Sequence, residues 1–188
     1  MTIALPNCGS LVDFLQLPDI DSSPAWEFIE GVVWTKPMPG GKHSRLRSRL
    51  ASAINIDRSY EAFPELRCTF GGRSIVPDIA VLASIRIPID EHGEIISTGI
   101  DFAPNWVIEI LSPDRSLTRV TCKILHCLRH GCEIGWLIDP IDRVVLAYRG
   151  DRLPSEFTGD MLLPCLEEVS LELTVDQMFG WLKVARNR

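Results

Sequence analysis

Apolar positions change period along this chain, and each change marks an element. Leu11, Phe14 and Leu15 follow helical spacing behind Ser10, which predicts a short helix capped by that serine. From Trp26 to Thr35 the period is two, which predicts a strand. Trp26, Phe28, Val32 and Trp34 lie on one face, Glu27, Ile29 and Val33 on the other, and Glu30 interrupts. Pro37-Met38-Pro39-Gly40-Gly41 breaks the strand. A helix from about Lys42 to Tyr60 should follow, burying His43, Leu46, Leu50, Ala53 and Ile54. Leu66 to Phe70 and Ser74 to Ala83 read as a strand pair about the Gly71-Gly72 turn. Residues 84–103 are mixed and rich in turn signals. The run WVIEIL, from Trp106 to Leu111, is apolar on both faces except at Glu109, as in a strand covered on both sides. A helix from about Ser116 to His130 should close at Gly131. Ser112 or Asp114 serves as a turn or cap before it. Two strands, Glu133–Asp139 and Arg143–Tyr148, flank the turn Asp139-Pro140-Ile141-Asp142. One or two short strands near Leu162–Leu173 and a helix over Val175–Leu182 complete the chain. This order predicts an α/β chain of the α+β type, with a mixed sheet flanked by helices.

The length, 188 residues, suits one domain with one substantial core, with residues 1–24 as an N-terminal docking segment. Hydrophobic residues make up 46% and charged residues 23%, which argues against disorder. The formal net charge is −6, so any nucleic-acid surface must be a local basic patch on an acidic body. The best such patch is Lys42, Arg45 and Arg49, on one face of the first long helix. The alternative for it is a solvated helix face. No signal peptide and no membrane-length apolar run is evident. The six cysteines form no CxxC pair, so a reduced cytoplasmic protein with packed thiols is expected.

Two carboxylates stand where packing alone would not place them. Asp78 lies inside IVPDIAVL and Glu109 inside WVIEIL. An acid stripped of water in such a run needs a proton, a cation or a metal. Two of them on neighbouring strands repel unless a cation sits between, and a divalent ion with oxygen ligands would answer this. The alternative is that each acid pairs with a nearby arginine or lies at an exposed strand end. Lys123 is the third unusual charge, at the margin of the apolar stripe formed with Val120 and Cys127. Its alternative is a stem that covers the core while its head reaches water. If the metal reading holds, the Asp78 and Glu109 oxygens should approach to about 4–6 Å. The Lys123 ammonium should point into the same pocket. Cys122, His126 and His130 also share a helix face, but a structural zinc needs four ligands and no second cluster is present.

The ordered set WEFIEGVV, His43-Ser44, VPDIAVL, VIEILSPDRS, Lys123 and GWLIDP resembles the Uma-two family of endonucleases. That family has the PD-(D/E)xK restriction-endonuclease-like fold. The resemblance spans about Trp26 to Tyr148. It implies that Asp78 of Pro77-Asp78 binds metal and that Glu109 is the acid of the (D/E)xK element. Leu111 stands where that motif's lysine would be, a departure that Lys123 makes good from the next helix. Glu27 matches the upstream acid and His43 a histidine opening the first long helix; both are catalytic candidates. The resemblance further implies Mg²⁺- or Mn²⁺-dependent phosphodiester hydrolysis of nucleic acid, DNA foremost. A homodimer is expected of an enzyme that cuts both strands. A nuclease-fold module for binding or assembly, without turnover, is the competing reading.

Overall fold

The computed structural model describes residues 8–56, 58–96, 98–113 and 115–184; the first part of the N-terminal segment, and the reading of Asp114 as a cap, lie outside them. The first helix, α1 (Leu11–Leu15), starts as expected at Ser10, whose side chain accepts from the Asp13 N–H. Its Phe14 is fully buried against Phe28 and Val33.

The predicted strand Trp26–Thr35 is a hairpin, β1 (Trp26–Ile29) and β2 (Val32–Thr35). Glu30 and Gly31 both take positive φ, 52° and 79°, the geometry of a tight two-residue turn. The turn resets the phase. Phe28 pairs with Val33 and Glu27 with Trp34, so the faces expected of one continuous strand are wrong beyond Ile29.

Helix α2 (Gly41–Ile54) buries His43, Leu46, Leu50, Ala51 and Ile54. It stops at Asn55 rather than near Tyr60. The Asn55 side chain accepts from the Ala62 N–H (2.6 Å) and so ties the helix end to a strand that periodicity at Lys42–Tyr60 concealed. That strand is β3 (Tyr60–Pro64). β4 (Cys68–Phe70) and β5 (Arg73–Ile75) turn about Gly71-Gly72 as expected. The chain then leaves that sheet, and β6 (Ile79–Ala83) belongs to another. Ser74–Ala83 is therefore not one strand. Pro77 has no N–H to offer a ladder, and the Val76 N–H donates to the Glu27 carboxylate instead (2.8 Å). β7 (Trp106–Ile110), α3 (Leu117–Arg129), β8 (Ile134–Asp139) and β9 (Val144–Tyr148) fall within a residue or two of expectation. In the tail, β10 (Ser155–Phe157) precedes the predicted position. Residues 162–173 hold no strand, only a bridge from Leu162 to Thr174. Helix α4 (Val175–Gly180) ends the described fold, opened by a capping box between Thr174 and Gln177.

Two sheets result. One runs β2-β1-β5-β4, the other β10-β9-β8-β7-β6-β3. In the six-stranded sheet only β7 and β8 are parallel, joined by the crossover helix α3, so the sheet is mixed as expected. Alternation sends Trp106, Ile108 and Ile110 to the face covered by α2 and α4, and Val107 to the face covered by α3. Gly135 of β8 lets α3 settle closely. A Cβ there would meet Ile124 Cγ2 at 2.4 Å. Among the described residues no helix is long and apolar enough to cross a membrane.

The helix α3 ends on a Schellman motif, with Gly131 at φ 98° and the Cys132 N–H returning to the Cys127 carbonyl. Its two histidines are structural. His126 stacks on Phe70 and donates through Nε2 to the Phe70 carbonyl (3.1 Å), and His130 Nδ1 donates to the His126 carbonyl (2.8 Å). Cys122 stays exposed. All six cysteines are free, as expected, and burial raises the Cys132 thiol to about 12.

Burial likewise lowers His126 from 6.5 to about 4. Between those values the unfolded chain binds more protons than the folded one, so stability should fall as the pH drops from about 6.5 toward 4. The slope is at most about 1.4 kcal/mol per pH unit. Urea unfolding of wild type and His126→Gln at pH 7 and pH 5 checks this. Equal pH sensitivity in the two proteins would refute the assignment.

Candidate active site

β6 and β7 pair with Ile79 opposite Ile108 and Ala80 opposite Val107. One further step in that register sets Asp78 across from Glu109, on the face that α3 covers. Both acids are fully buried. They bond the same atom: Arg115 Nη1 donates to Asp78 Oδ2 (2.7 Å) and to Glu109 Oε2 (3.0 Å). The two oxygens are therefore no farther apart than those two lengths together, inside the upper limit expected of acids that share a cation.

Lys123 points where the sequence predicts. From α3 its ammonium lies 2.6 Å from Glu109 Oε1 and 3.0 Å from Glu27 Oε1, with the residue only 2% exposed. The reading of Lys123 as a solvent-seeking side chain is thus wrong, because two acids draw its head inward. Glu27 enters from β1, in the other sheet, and is fixed at the Val76 N–H by the same oxygen that holds Lys123. His43, in the first turn of α2, donates through Nε2 to Asp78 Oδ2 (2.9 Å).

Three charged residues escaped the sequence analysis. Lys36, just after β2, touches Asp78 Oδ1 at 2.9 Å and Glu65 Oε1 at 3.3 Å. Glu65 in turn takes Arg47 at 2.7 Å. With Lys36 and Glu65, Arg115 is the third. Neither Lys36 nor Arg115 lies in an apolar run, so periodicity gives them no signal. The arginine-pairing alternative for the two acids was the only hint of Arg115, and it proves compatible with their meeting. Lys42 and Arg49 are exposed on α2, and Arg45 donates to the Lys183 carbonyl (3.4 Å), so these three stay apart from the buried centre.

The charges set the proton affinities. Burial pushes Asp78 up, but Lys36, the His43 hydrogen bond and Arg115 outweigh it and hold the acid well below its usual range. Glu27 is lowered against its own burial by Lys123, the Val76 N–H and Lys36. Glu109 is raised. Its burial, helped by the Asp78 charge, exceeds what Lys123 and Arg115 return. Lys123 is raised despite burial, by Glu109 and Glu27.

The donor chemistry suits a hard divalent ion, which commonly takes one or two carboxylates and keeps its waters. Asp78 Oδ1 and Glu109 Oε1 are buried, and neither accepts an aligned hydrogen bond, although an ammonium lies close to each. Among the described residues no group of three or more His, Cys, Asp or Glu side chains is arranged to hold an ion. Any ion would therefore rest on these two acids and on water. A cavity of about 30 Å³, with room for a water or two, adjoins Glu27, Arg115 and Lys123. A cleft of about 410 Å³ opens beyond Lys36 and Glu65.

The sequence profile of Uma2, described as "Putative restriction endonuclease", matches residues 11–176. The chain belongs to the Uma2 family. A solved structure described as a "putative nuclease belonging to DUF820" from Anabaena variabilis is 48% identical and superposes with a TM-score of 0.88. The match covers 93% of this chain and 99% of that one. The fold is thus the restriction-endonuclease-like one that the motifs implied. No curated protein matches the chain.

Proposed function

We propose that this Uma2 protein is a metal-dependent nuclease that hydrolyses phosphodiester bonds in nucleic acid, DNA foremost, with Asp78 and Glu109 as the ligands of Mg²⁺ or Mn²⁺. The observation that carries the reading is the meeting of two fully buried carboxylates at one cationic nitrogen, with a buried lysine on the outer oxygen of Glu109. An ion on these acids would polarise the scissile phosphate and lower the pKa of an attacking water. The chain's own groups do the rest. Lys36 and His43 hold Asp78 ionised and oriented. Glu27 anchors Lys123 on one side, leaving its ammonium between Glu27 and Glu109 at the edge of the small cavity. There Lys123 can orient a water or stabilise charge building on the phosphate. His43 acts through Asp78, as a positioning residue. A two-fold dimer, in the cytoplasm, would bring two such centres to a duplex.

The test is cleavage. Purified protein should cut plasmid DNA or single-stranded RNA with Mg²⁺ or Mn²⁺, and a chelator should stop it. Calorimetry showing no ion bound, together with no cleavage, would remove the enzyme reading. One observation favours the second reading, a module without turnover. Three buried acids (Glu27, Asp78, Glu109) already face three buried cations (Lys36, Arg115, Lys123). Ion binding separates the two readings.

Lys42, Arg45 and Arg49 supply the phosphate-facing patch in this proposal. Lys42→Glu and Arg49→Glu should each weaken DNA binding across all sequences. Each should also reduce the slope of log affinity against log salt by about 1. An unchanged slope in a fluorescence titration would show that α2 presents only a solvated face.

A further inference from the structure

Arg115 occupies an unusual place. Its Nη1 contacts Asp78 Oδ2, Glu109 Oε2 and the Ile110 carbonyl (3.4 Å), so a single nitrogen sits where an ion shared by the acids would rest. The other oxygen of each acid is met by a lysine instead. The side chains are almost wholly withdrawn from the surface: that of Arg115 is 6% exposed, and those of Asp78 and Glu109 are fully buried. Counting Glu27, Asp78 and Glu109 against Lys36, Arg115 and Lys123, the centre is neutral. Adding a divalent ion with all three cations retained would leave two uncompensated positive charges in a dry site, which burial penalises heavily.

The three cations stand on different elements. Lys123 belongs to α3 and is buried there. Lys36 is tied to Glu65 and to the Pro77 carbonyl as well as to Asp78. Arg115 stands on the connection between β7 and α3, ahead of the Ser116 cap, so its side chain can swing without unwinding a strand or a helix. It already lines the small cavity beside Lys123 and Arg119, and Arg119 stacks over Trp34 at 3.7 Å. A guanidinium freed from two carboxylates carries the forked donors that suit a phosphate diester.

We propose that Arg115 is an internal counter-cation that competes with the divalent ion for Asp78 and Glu109, and that its displaced guanidinium becomes a contact for the substrate phosphate. The inference rests on the metal-dependent reading above. It makes Arg115 both a brake on ion binding and a phosphate-binding residue. A metal-free centre stays folded and charge-balanced, and it opens when the ion binds, after which an arriving phosphate returns negative charge to the site.

Calorimetry with Mn²⁺ alone tests the competition. If Arg115 holds the acids for all but a small fraction of the time, Arg115→Met should bind Mn²⁺ about tenfold tighter or more, because the blocked fraction is removed. Its affinity for uncleaved DNA should fall when measured with Ca²⁺ in place of the activating ion. Wild type binding Mn²⁺ with Arg115→Met equal or weaker would overturn the proposal and leave the metal reading intact. No binding by either protein would sink both. Should Arg115→Met not fold, wild type alone suffices. The guanidinium nitrogen signals of Arg115, followed by NMR, should move on adding Mg²⁺. An ion that binds while those signals stay fixed would show that Arg115 is not displaced.

Discussion

Asp78→Asn is expected to abolish cleavage and to destabilise the protein by about 3 kcal/mol, the lower end for leaving buried charges without their partner. For a chain of this size that is a fall of about 10 °C in melting temperature. The amide keeps the shape of the carboxylate, which on sequence grounds alone suggests an innocuous change. The structure argues otherwise. The Asp78 carboxylate receives the Ile110 N–H, His43 and Arg115 on Oδ2, and the Lys36 ammonium lies 2.9 Å from Oδ1. An asparagine offers one acceptor oxygen, and its NH₂ must face another donor. Lys36 and Arg115 also lose the charge that offsets their own burial. The destabilisation should ease in the double variant Asp78→Asn/Arg115→Met, which removes one of the stranded cations, while cleavage stays absent. Thermal unfolding of the single and double variants, beside a plasmid-nicking assay, makes the comparison. Wild-type cleavage by Asp78→Asn would end the role of Asp78 as a ligand. A double variant no more stable than the single one would show that charge imbalance is not the cause.

The centre was legible in part because its acids violate a pattern. Glu109 in WVIEIL and Asp78 in IVPDIAVL contradict the apolar period of their strands, and a contradiction of that kind has few physical remedies. Lys123 was legible for a related reason, as a charge at the margin of an amphipathic stripe. Glu27 and His43 came through the family motif, not through the residues alone. Lys36 and Arg115 had no such signal. Both lie in loops, where a cation is ordinary, and only tertiary approach turns them inward. The missed fold features share this local ambiguity. A strand interrupted by Glu30-Gly31 can continue or reverse, and the two-residue turn decides which face Val33 takes. The break at Val76-Pro77 moves the chain between sheets, so two adjacent apolar segments are not partners. The end of α2 was hidden because Tyr60 suits either a helix stripe or the first buried position of β3. What decides is the bond from Asn55 to Ala62, a contact made only once β3 lies alongside.

Lys123→Met should separate ion binding from rate, the two quantities that the proposed mechanism assigns to different groups. Methionine keeps an unbranched stem of similar length in this buried position and removes the charge. Ion affinity should stay within about tenfold of wild type, because an ammonium donates and cannot ligate a cation. Cleavage should fall by at least about a hundredfold, the usual loss on removing one positioned electrostatic group. Stability should change less than in Asp78→Asn. Glu109 is already raised by its burial and can take up a proton when Lys123 no longer compensates it, whereas the Arg115 guanidinium stranded in Asp78→Asn keeps its charge. Glu27→Gln is the companion variant. It keeps the Lys123 charge but weakens one of the two anchors that aim it, so an intermediate loss of rate is expected. Mn²⁺ calorimetry with single-turnover cleavage reads all three proteins. If Lys123→Met binds the ion and cuts at the wild-type rate, Lys123 only balances charge between Glu27 and Glu109, and the water or phosphate must be oriented by another cation of the centre. Arg115 is then the first candidate, since it already touches both acids and borders the same cavity.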